Sequence, residues 1–207
     1  MAVITDYITG NYIELLAMAL GLVSIVLQIK QNLWLWPVNI VMVSLYIIVY
    51  IDYRLYADMS LQVYYLIMSI YGWFYWLYGH KKRTDQKQVP VTRTRKKVWP
   101  FLIIAAIVLF AGISYILINY TDSDVPYLDA FTTSLSFVAT WMLARKLIEN
   151  WIIWIVVDTV SVGLYIYKEL FPTTVLFIVL TILAFTGYRE WRKELDEDST
   201  KTQTPQT

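Results

Sequence analysis

Polar and aromatic side chains recur at three- and four-residue steps within the long apolar stretches of this sequence. The clearest row consists of Trp151, Trp154, Asp158, Ser161 and Tyr165. Residues with this spacing stack on one face of a helix. Aromatic faces attract cationic rings, and amide groups hydrogen-bond hydroxyl or carboxamide groups. The pattern predicts a polar path that binds a small solute without covalent chemistry.

Similar rows occur in five other apolar stretches. They are Glu14, Gly21, Ser24 and Gln28; Trp36, Asn39 and Tyr46; Asp58, Gln62, Tyr65, Ser69 and Trp76; Asp129, Thr133, Ser136 and Thr140; and Thr174, Thr181 and Tyr188. Such groups either bond neighbouring membrane helices or line a path. The tryptophans near helix ends fit an interfacial belt or a binding box equally well. Asp158 favours function, because an ionisable group well inside a span costs roughly 2.5–3.5 kcal/mol.

The residue types needed for most enzyme chemistry are missing. The chain has no cysteine and one histidine, His80, and it lacks a phosphate-binding Gly-Lys-Ser/Thr loop. The net charge of +1 does not favour nucleic acid as a partner. We therefore expect no enzyme activity, no metal and no cofactor.

The composition indicates an all-α membrane protein. Of the 207 residues, 58% are hydrophobic and 16% charged, and there are nine Trp and seventeen Tyr, which favour membrane interfaces. A bilayer span takes about 20 apolar residues. Seven transmembrane helices are predicted, at 12–29, 33–51, 58–78, 99–118, 128–144, 150–167 and 171–188.

The basic residues predict the orientation, because Lys and Arg are retained on the cytoplasmic side. The linker 80–98 carries eight of them, and the Arg145-Lys146 turn falls on the same side. The N-terminus is therefore expected outside and the C-terminus in the cytoplasm, with lipid around the spans. The charged and Thr/Gln-rich tail has the composition of a disordered end.

An internal repeat is predicted from matches between the two ends of the chain. Asn32 aligns with Asn150, Trp36 with Trp154 and, after a slip, Asn39 with Asp158; later, Gly72 aligns with Gly187 and Trp76 with Trp191. Three spans per half with a seventh between them allow parallel repeats. The predicted organisation is 1–79 first repeat, 80–98 basic cytoplasmic linker, 99–120 linking helix, 121–191 second repeat and 192–207 disordered tail.

The stretch from Leu135 to Asp158, with Ser161, resembles the bacterial nicotinamide riboside transporters of the PnuC family. The first half agrees through Asn39, the Leu55-Tyr56-Ala57 run with Leu61-Gln62, and Tyr71-Gly72-Trp73 with Trp76. The basic turn before Glu149-Asn150-Trp151 is the most specific segment. Nearly the whole chain fits this resemblance.

The resemblance implies a 3+1+3 fold like that of the SWEET sugar transporters and a vitamin held between the halves. It also implies a bacterial inner-membrane location, facilitated diffusion, trapping of the substrate by cytosolic phosphorylation for NAD biosynthesis, and assembly into a homo-oligomer such as a trimer. Carried over by position, the expected substrate-binding residues are Trp36, Asn39, Gln62, Trp151, Trp154, Asp158 and Tyr165.

Asp158 departs from the family pattern, in which Asn is expected at this place. A carboxylate strengthens binding of a cation without selecting which one. Nicotinamide riboside is the first expectation, and thiamine, another small cationic vitamin carried by relatives, is the alternative. A membrane receptor or scaffold is the third possibility, although the sequence has no large soluble recognition loop.

Overall fold

The described part of the chain is helical almost throughout. The computed structural model describes residues 12–52, 56–79 and 89–203. Its seven helices are α1 (Tyr12–Ile29), α2 (Leu35–Asp52), α3 (Tyr56–Tyr78), α4 (Trp99–Tyr120), α5 (Pro126–Ala144), α6 (Asn150–Tyr167) and α7 (Phe171–Gln203). Each predicted span corresponds to one of these helices, and all-α architecture is thereby confirmed.

Three of the helices satisfy length and hydropathy requirements for crossing a bilayer by themselves. Within the described residues these are α4, α6 and the Phe171–Glu197 part of α7, whereas Ala19–Ile29 and Leu35–Ile51 are shorter apolar stretches. The large apolar side chains of α4 are largely exposed, as expected for a helix that faces lipid.

The last helix differs from the sequence-based expectation. Residues 192–203 continue α7 as a helix, although their composition predicts disorder. The 33 residues of α7 measure about 50 Å, which exceeds a hydrocarbon core of about 30 Å. Its charged end therefore extends beyond any bilayer that its apolar start enters. Residues 204–207 lie outside the described residues.

The chain divides into two compact units between Val89 and Pro90. In the first unit α1 packs on α2 and α2 on α3; in the second, each of α4 to α7 packs on the next helix in the chain. We call α1–α3 the first triplet and α5–α7 the second triplet. Several residues of the sequence analysis lie outside what the structure describes. They are the basic residues between positions 81 and 87, His80, Asp6 and the side chains of Glu14 and Asp58.

Three helices end in the same unusual turn. Gln31, Lys146 and Glu169 have positive φ angles of 51°, 54° and 57°. After α1, the N–H of Gln31 donates to the carbonyl of Gln28 and that of Asn32 to Leu27, at 3.1 and 2.9 Å. The turn after α5 repeats these bonds. This is the Schellman ending, which normally uses glycine because other residues resist left-handed backbone.

The two triplets follow one register without gaps. Leu35 and Asn150, which begin α2 and α6, are 115 positions apart, as are Tyr56 and Phe171, which begin α3 and α7. The same spacing separates Gln31 from Lys146. The starts of α2 and α6, the described starts of α3 and α7, and the turns after α1 and α5 therefore correspond between the triplets at an offset of 115.

Part of the predicted linker is bound to the second triplet. We call residues 90–98 the strap. The N–H of Thr92 donates to the Lys146 carbonyl and the N–H of Ile148 donates to Thr92, both at 3.0 Å. Thr94 donates to Glu149 Oε2 through its N–H at 3.0 Å and its hydroxyl at 2.7 Å. The strap thus forms a short strand-like edge on the α5–α6 turn.

Candidate functional site

A tryptophan of each triplet packs face to backbone against a glycine. In the first triplet Trp36 lies against Gly72 so closely that a methyl group at Gly72 would overlap the indole ring. Its ring also meets Trp76 edge to face, with centroids 5.2 Å apart and an interplanar angle of 88°. Only 1% of Trp36 is exposed. α2 and α3 are therefore joined at this end by a Trp-Gly-Trp contact.

The second triplet repeats this contact. Trp151 lies against Gly187, and its ring meets Trp191 at 5.6 Å and 89°. These residues lie 115 positions after Trp36, Gly72 and Trp76, which confirms the predicted pairing of Gly72 with Gly187 and of Trp76 with Trp191. The predicted pairing of Trp36 with Trp154 is wrong by one helical turn.

The wrong alignment of Trp36 with Trp154 has a physical origin. Aligning Asn32 with Asn150 and Asn39 with Asp158 matched polar residue types, and required slips in the alignment. Under the constant offset Asn39 corresponds to Trp154, and Val43 corresponds to Asp158. The two close contacts of a Trp ring with a Gly backbone, by contrast, correspond without any slip. The repeated Gly-x-x-x-Trp spacing, Gly72 to Trp76 and Gly187 to Trp191, was the sequence signal for this contact.

Packing explains why Trp36 and Trp151 are held in place. Each is almost entirely enclosed, and each indole Nε1 has no hydrogen-bond partner among the described residues. An interfacial belt residue would expose its ring edge to headgroups. Both side chains therefore join helices within a triplet, and neither presents a ring face to a solute in this conformation.

Asp158 lies at the middle of α6, on the side that faces α7. Trp151 and Tyr165 stand seven residues to either side, so the three side chains share one face of the helix. Trp151 contacts Gly187 of α7, and the Tyr165 ring stacks on Phe177 of α7 at 5.0 Å. Asp158 is 6% exposed. No described residue forms a hydrogen bond or an ion pair with its carboxyl group.

Trp154 is one turn from Trp151 and half-buried, so part of its ring is accessible. Ser161, one turn beyond Asp158, is buried, and Tyr165 is half-buried. The predicted row along α6 is thus a real face of the helix. Trp154 and Tyr165 are the half-buried members of this row, and Trp151, Asp158 and Ser161 are buried.

The first triplet presents two amide side chains. Asn39 is half-buried, and its Oδ1 atom is enclosed without a hydrogen-bond partner among the described residues. Gln62, on α3, is also half-buried. Since α2 and α3 meet at Trp36 and Gly72, Asn39 lies about 4.5 Å and Gln62 about 15 Å along the helices from that contact. The structure therefore separates these amides by about 10 Å along the axis.

The second triplet shows the same spread. Measured along α6 from Trp151, Trp154 lies at about 4.5 Å, Asp158 at about 10 Å and Tyr165 at about 21 Å. The predicted residues therefore extend along a helix face rather than meeting at one point. Such an arrangement suits successive contacts with a moving solute better than a single closed pocket.

A polar cluster lies at the Tyr165 end of α6. The hydroxyl of Ser123 donates to Asp129 Oδ2 at 2.7 Å, and Lys168 Nζ lies 4.0 Å from the same oxygen. These groups are partly exposed, so their attraction is screened and contributes little to stability. The cluster joins the start of α5 to the end of α6.

The opposite end of the second triplet contains an enclosed lysine. Lys146 is 1% exposed, and burial lowers its pKa to about 8, while Glu194 on α7 acts in the opposite direction. The matching position of the first triplet is the neutral Gln31. Arg145, by contrast, stacks over the Trp141 ring at 5.7 Å. The basic turn that the sequence suggested is therefore built into the packing of the second triplet.

The amide, aromatic and carboxyl side chains on these faces can bind a solute through noncovalent contacts. Within the described ranges no three His, Asp or Glu side chains come together as a metal site requires. Half-buried amides, aromatic rings and one enclosed carboxyl group on apolar helices are the features of a membrane carrier for small polar solutes. The class of protein is thereby defined as a membrane transporter.

The chain belongs to the nicotinamide mononucleotide transporter family, whose model matches residues 11–193. This confirms the resemblance found in the sequence. The match includes all residues of the predicted site and most of the helical part of the chain.

Characterised relatives are similar over most of their length. The nicotinamide riboside transporter PnuC of Escherichia coli strain K12 is 24% identical, covering 87% of this chain and 85% of its own. The riboflavin/roseoflavin transporter RibM of Streptomyces davaonensis is 27% identical, covering 87% and 84%. A crystal structure of the vitamin B3 transporter PnuC superposes with a TM-score of 0.70 at 22% identity, over 95% of this chain and 87% of that one. The last likeness shows a shared fold.

Proposed function

We propose that this protein carries nicotinamide riboside across the bacterial inner membrane. The observation that favours a cationic substrate is Asp158, an enclosed carboxyl group at mid-helix without a partner among the described residues. A cationic pyridinium ring can pair with such a group, and a neutral solute cannot. Relatives named as nicotinamide riboside transporters support the same choice.

The proposed contacts divide by chemistry. Asp158 pairs with the cationic ring, Trp154 and Tyr165 offer aromatic faces, and Asn39 and Gln62 hydrogen-bond ribose hydroxyls or the carboxamide. Trp36 and Trp151, which the sequence placed in the same set, support these residues by fixing α2 on α3 and α6 on α7. The enclosed Oδ1 atom of Asn39 supports a polar ligand, because burying such an atom unpaired is costly.

The remaining parts of the proposal are what the family resemblance implies and, for the orientation, what the basic residues predict. The two triplets and α4 form a SWEET-like 3+1+3 arrangement, with the N-terminus outside and the strap at the cytoplasmic side. Transport follows the substrate gradient, and cytosolic phosphorylation of the riboside prevents its return. The exposed apolar surface of α4 supports contact with lipid or with further copies in a trimer.

Riboflavin is the second candidate, because RibM is among the similar relatives. Its flavin ring is neutral at physiological pH, so Asp158 has no cation to pair with. Thiamine is cationic and remains an alternative on chemical grounds alone. Riboflavin therefore differs from the two cationic vitamins in the charge to which Asp158 responds, whereas nicotinamide riboside and thiamine do not differ in it.

Uptake into vesicles separates these candidates. The purified full chain is reconstituted and offered radiolabelled nicotinamide riboside, thiamine and riboflavin in turn, with empty vesicles as the control. Saturable uptake of nicotinamide riboside, inhibited weakly by the other two, is expected. Uptake of thiamine or riboflavin alone would replace the proposed substrate.

The site is tested by Asp158→Asn, which keeps the shape and removes the charge. We expect nicotinamide riboside to bind more weakly by about 1–3 kcal/mol, because a desolvated charge pair is lost. Asp129→Asn is the matched control, since this carboxylate contacts Ser123 and Lys168 at the helix end. Equal affinity of the Asp158 variant and the unaltered protein would remove Asp158 from the site.

A further inference from the structure

Four cationic side chains lie close together in the strap. They are Arg93, Arg95, Lys96 and Lys97, and all four are exposed. Residues 90–98 contain no Asp or Glu, and none of the four cations forms an ion pair with a carboxylate among the described residues. We call residues 93–97 the cationic segment. Its charge is therefore open to an anionic partner.

The strap holds the cationic segment in a fixed place. Thr94, between Arg93 and Arg95, is buried, and it donates its N–H and its hydroxyl to Glu149 Oε2. The N–H of Val98 donates to the carbonyl of Arg95 at 2.8 Å, which forms a turn directly before α4. An anchored segment loses less conformational freedom on binding than a free one does. The cations are thus pre-organised for a partner.

An apolar stripe of α4 begins next to the cationic segment. Phe101, Ile104 and Val108 are each more than half exposed. Their spacing of three and four residues places them on one side of the helix over about 10 Å. Trp99, the first residue of α4, is also exposed, and tryptophan favours the level of lipid headgroups. Cations, an interfacial ring and apolar side chains therefore follow one another as the phosphate, ester and acyl regions of a membrane do.

Charge favours a lipid over a second copy of the chain as the occupant of this surface. A copy packed here by two-fold symmetry would bring its own cationic segment to the same place, and like charges repel. An anionic phospholipid supplies the opposite charge and an acyl chain in one molecule. Each Lys or Arg near a membrane surface strengthens binding to anionic lipid about fivefold.

We propose that the cationic segment and the apolar stripe of α4 bind an anionic phospholipid. Its phosphate lies at Arg95, Lys96 and Lys97, and an acyl chain lies along Phe101, Ile104 and Val108. The bound lipid fixes the strap and the start of α4 at the membrane surface. This site shares no residue with the proposed solute site, so the inference is independent of which vitamin is carried.

Lipid retention by the purified full chain tests the proposal. The protein in detergent is offered equal amounts of phosphatidylglycerol and phosphatidylcholine with the same acyl chains. Mass spectrometry of the intact complexes measures which lipid stays bound and at what concentration. Phosphatidylglycerol should be retained at the lower concentration, and added salt should weaken its binding because the cations are exposed. Equal retention of the two lipids would overturn the proposal.

Variants at exposed side chains locate the site. Lys96→Gln together with Lys97→Gln should weaken phosphatidylglycerol binding about 25-fold, at about fivefold for each charge removed. Lys96→Arg together with Lys97→Arg is the matched control and should retain binding. Lys193→Gln should also retain it, since this exposed lysine already pairs with Glu190 at 2.8 Å. Unchanged binding in the double Gln variant, or an equal loss in Lys193→Gln, would overturn the assigned site.

Two further measurements identify the occupant. Inorganic phosphate should displace no more lipid than chloride does at equal ionic strength, because it has no acyl chain to place on α4. Displacement by phosphate alone would overturn the lipid assignment. The masses of the complexes also count the chains in them. A changed number of chains in the double Gln variant, with lipid retention unchanged, would assign this surface to a contact between copies instead.

Discussion

Position 34 of the first triplet and position 149 of the second lie at matching places in matching turns. Trp34 is 68% exposed, whereas Glu149 binds the N–H and the hydroxyl of Thr94 in the strap. In both turns a residue with left-handed backbone, Gln31 or Lys146, occupies the same place, and the backbone hydrogen bonds have the same pattern. The two turns therefore share their backbone conformation, while the side chains at matching positions make different contacts.

The interior shows the same contrast. Trp36 on Gly72 and Trp151 on Gly187 are equivalent contacts, but Val43 and Gln31 in the first triplet correspond to Asp158 and Lys146 in the second. Packing contacts define the common scaffold of the two triplets. Asp158 and Lys146 distinguish the second triplet, and Asp158 is the group that we expect to bind the charge of the substrate.

The largest effect is expected from removing the Trp ring of the Trp-Gly-Trp contact that both triplets contain. Trp36→Ala and Trp151→Ala should each destabilise the protein by about 3 kcal/mol, the lower end of the range for buried Trp, because lipid rather than water replaces the ring on unfolding. Thermal unfolding of the detergent-solubilised protein measures the loss. Trp34→Ala, at an exposed site, should change stability by less than about 0.5 kcal/mol. A loss at only one of the two buried sites would contradict their equivalence.

Adding one methyl group tests the same contact from the other helix. Gly72→Ala and Gly187→Ala should each cost about 1–3 kcal/mol, because the methyl group overlaps the Trp ring and forces α2 from α3 or α6 from α7. Gly163→Ala is the matched control, since nothing lies within 4 Å of a methyl group there. Thermal unfolding again measures stability. Tolerance of alanine at either site would show that the ring can move aside.

A pH titration sharpens the contrast between Lys146 and Gln31. The pKa of Lys146 is about 8 in the folded protein and about 10.5 when exposed, so the unfolded chain binds more protons between these values. Stability should therefore rise as pH increases from 8 to 9.5, by about 2 kcal/mol. Lys146→Met should flatten this rise, and Gln31→Met should leave it unchanged. A melting temperature that falls in both the unaltered chain and Lys146→Met would contradict the burial of the charge.

The smallest effect concerns the strap, which has no counterpart at the matching turn among the described residues of the first triplet. Thr94→Val removes the hydroxyl bond to Glu149 and keeps the shape, which should weaken strap binding by about 1.5 kcal/mol. Trypsin should then cleave after Arg93 or Arg95 about tenfold faster, because local opening exposes the backbone. Thr92→Val is the control, since Thr92 binds through its backbone and its side chain is exposed. Equal cleavage of the two variants would show that Thr94 does not hold the strap.

Much of this architecture followed from the sequence. Runs of about 20 apolar residues determined the helices to within a few positions except at the end of α7, and α6 has the predicted bounds. The three- and four-residue spacing placed Trp151, Asp158 and Tyr165 on one face, and the residues around Glu149 indicated the family. These features are local, since each depends on helical periodicity or on short stretches of residue types.

The tertiary structure decided which tryptophans correspond, that the strap binds Glu149, and that Lys146 is enclosed. Polar types alone had suggested Trp154 as the partner of Trp36, because a match of residue types does not record which ring lies on a glycine backbone. Composition likewise suggested a disordered tail, whereas α7 continues to Gln203 with Trp191 anchored on Trp151. Such contacts join residues that are distant along the chain, and their energies depend on close approach, which no local pattern of residue types specifies.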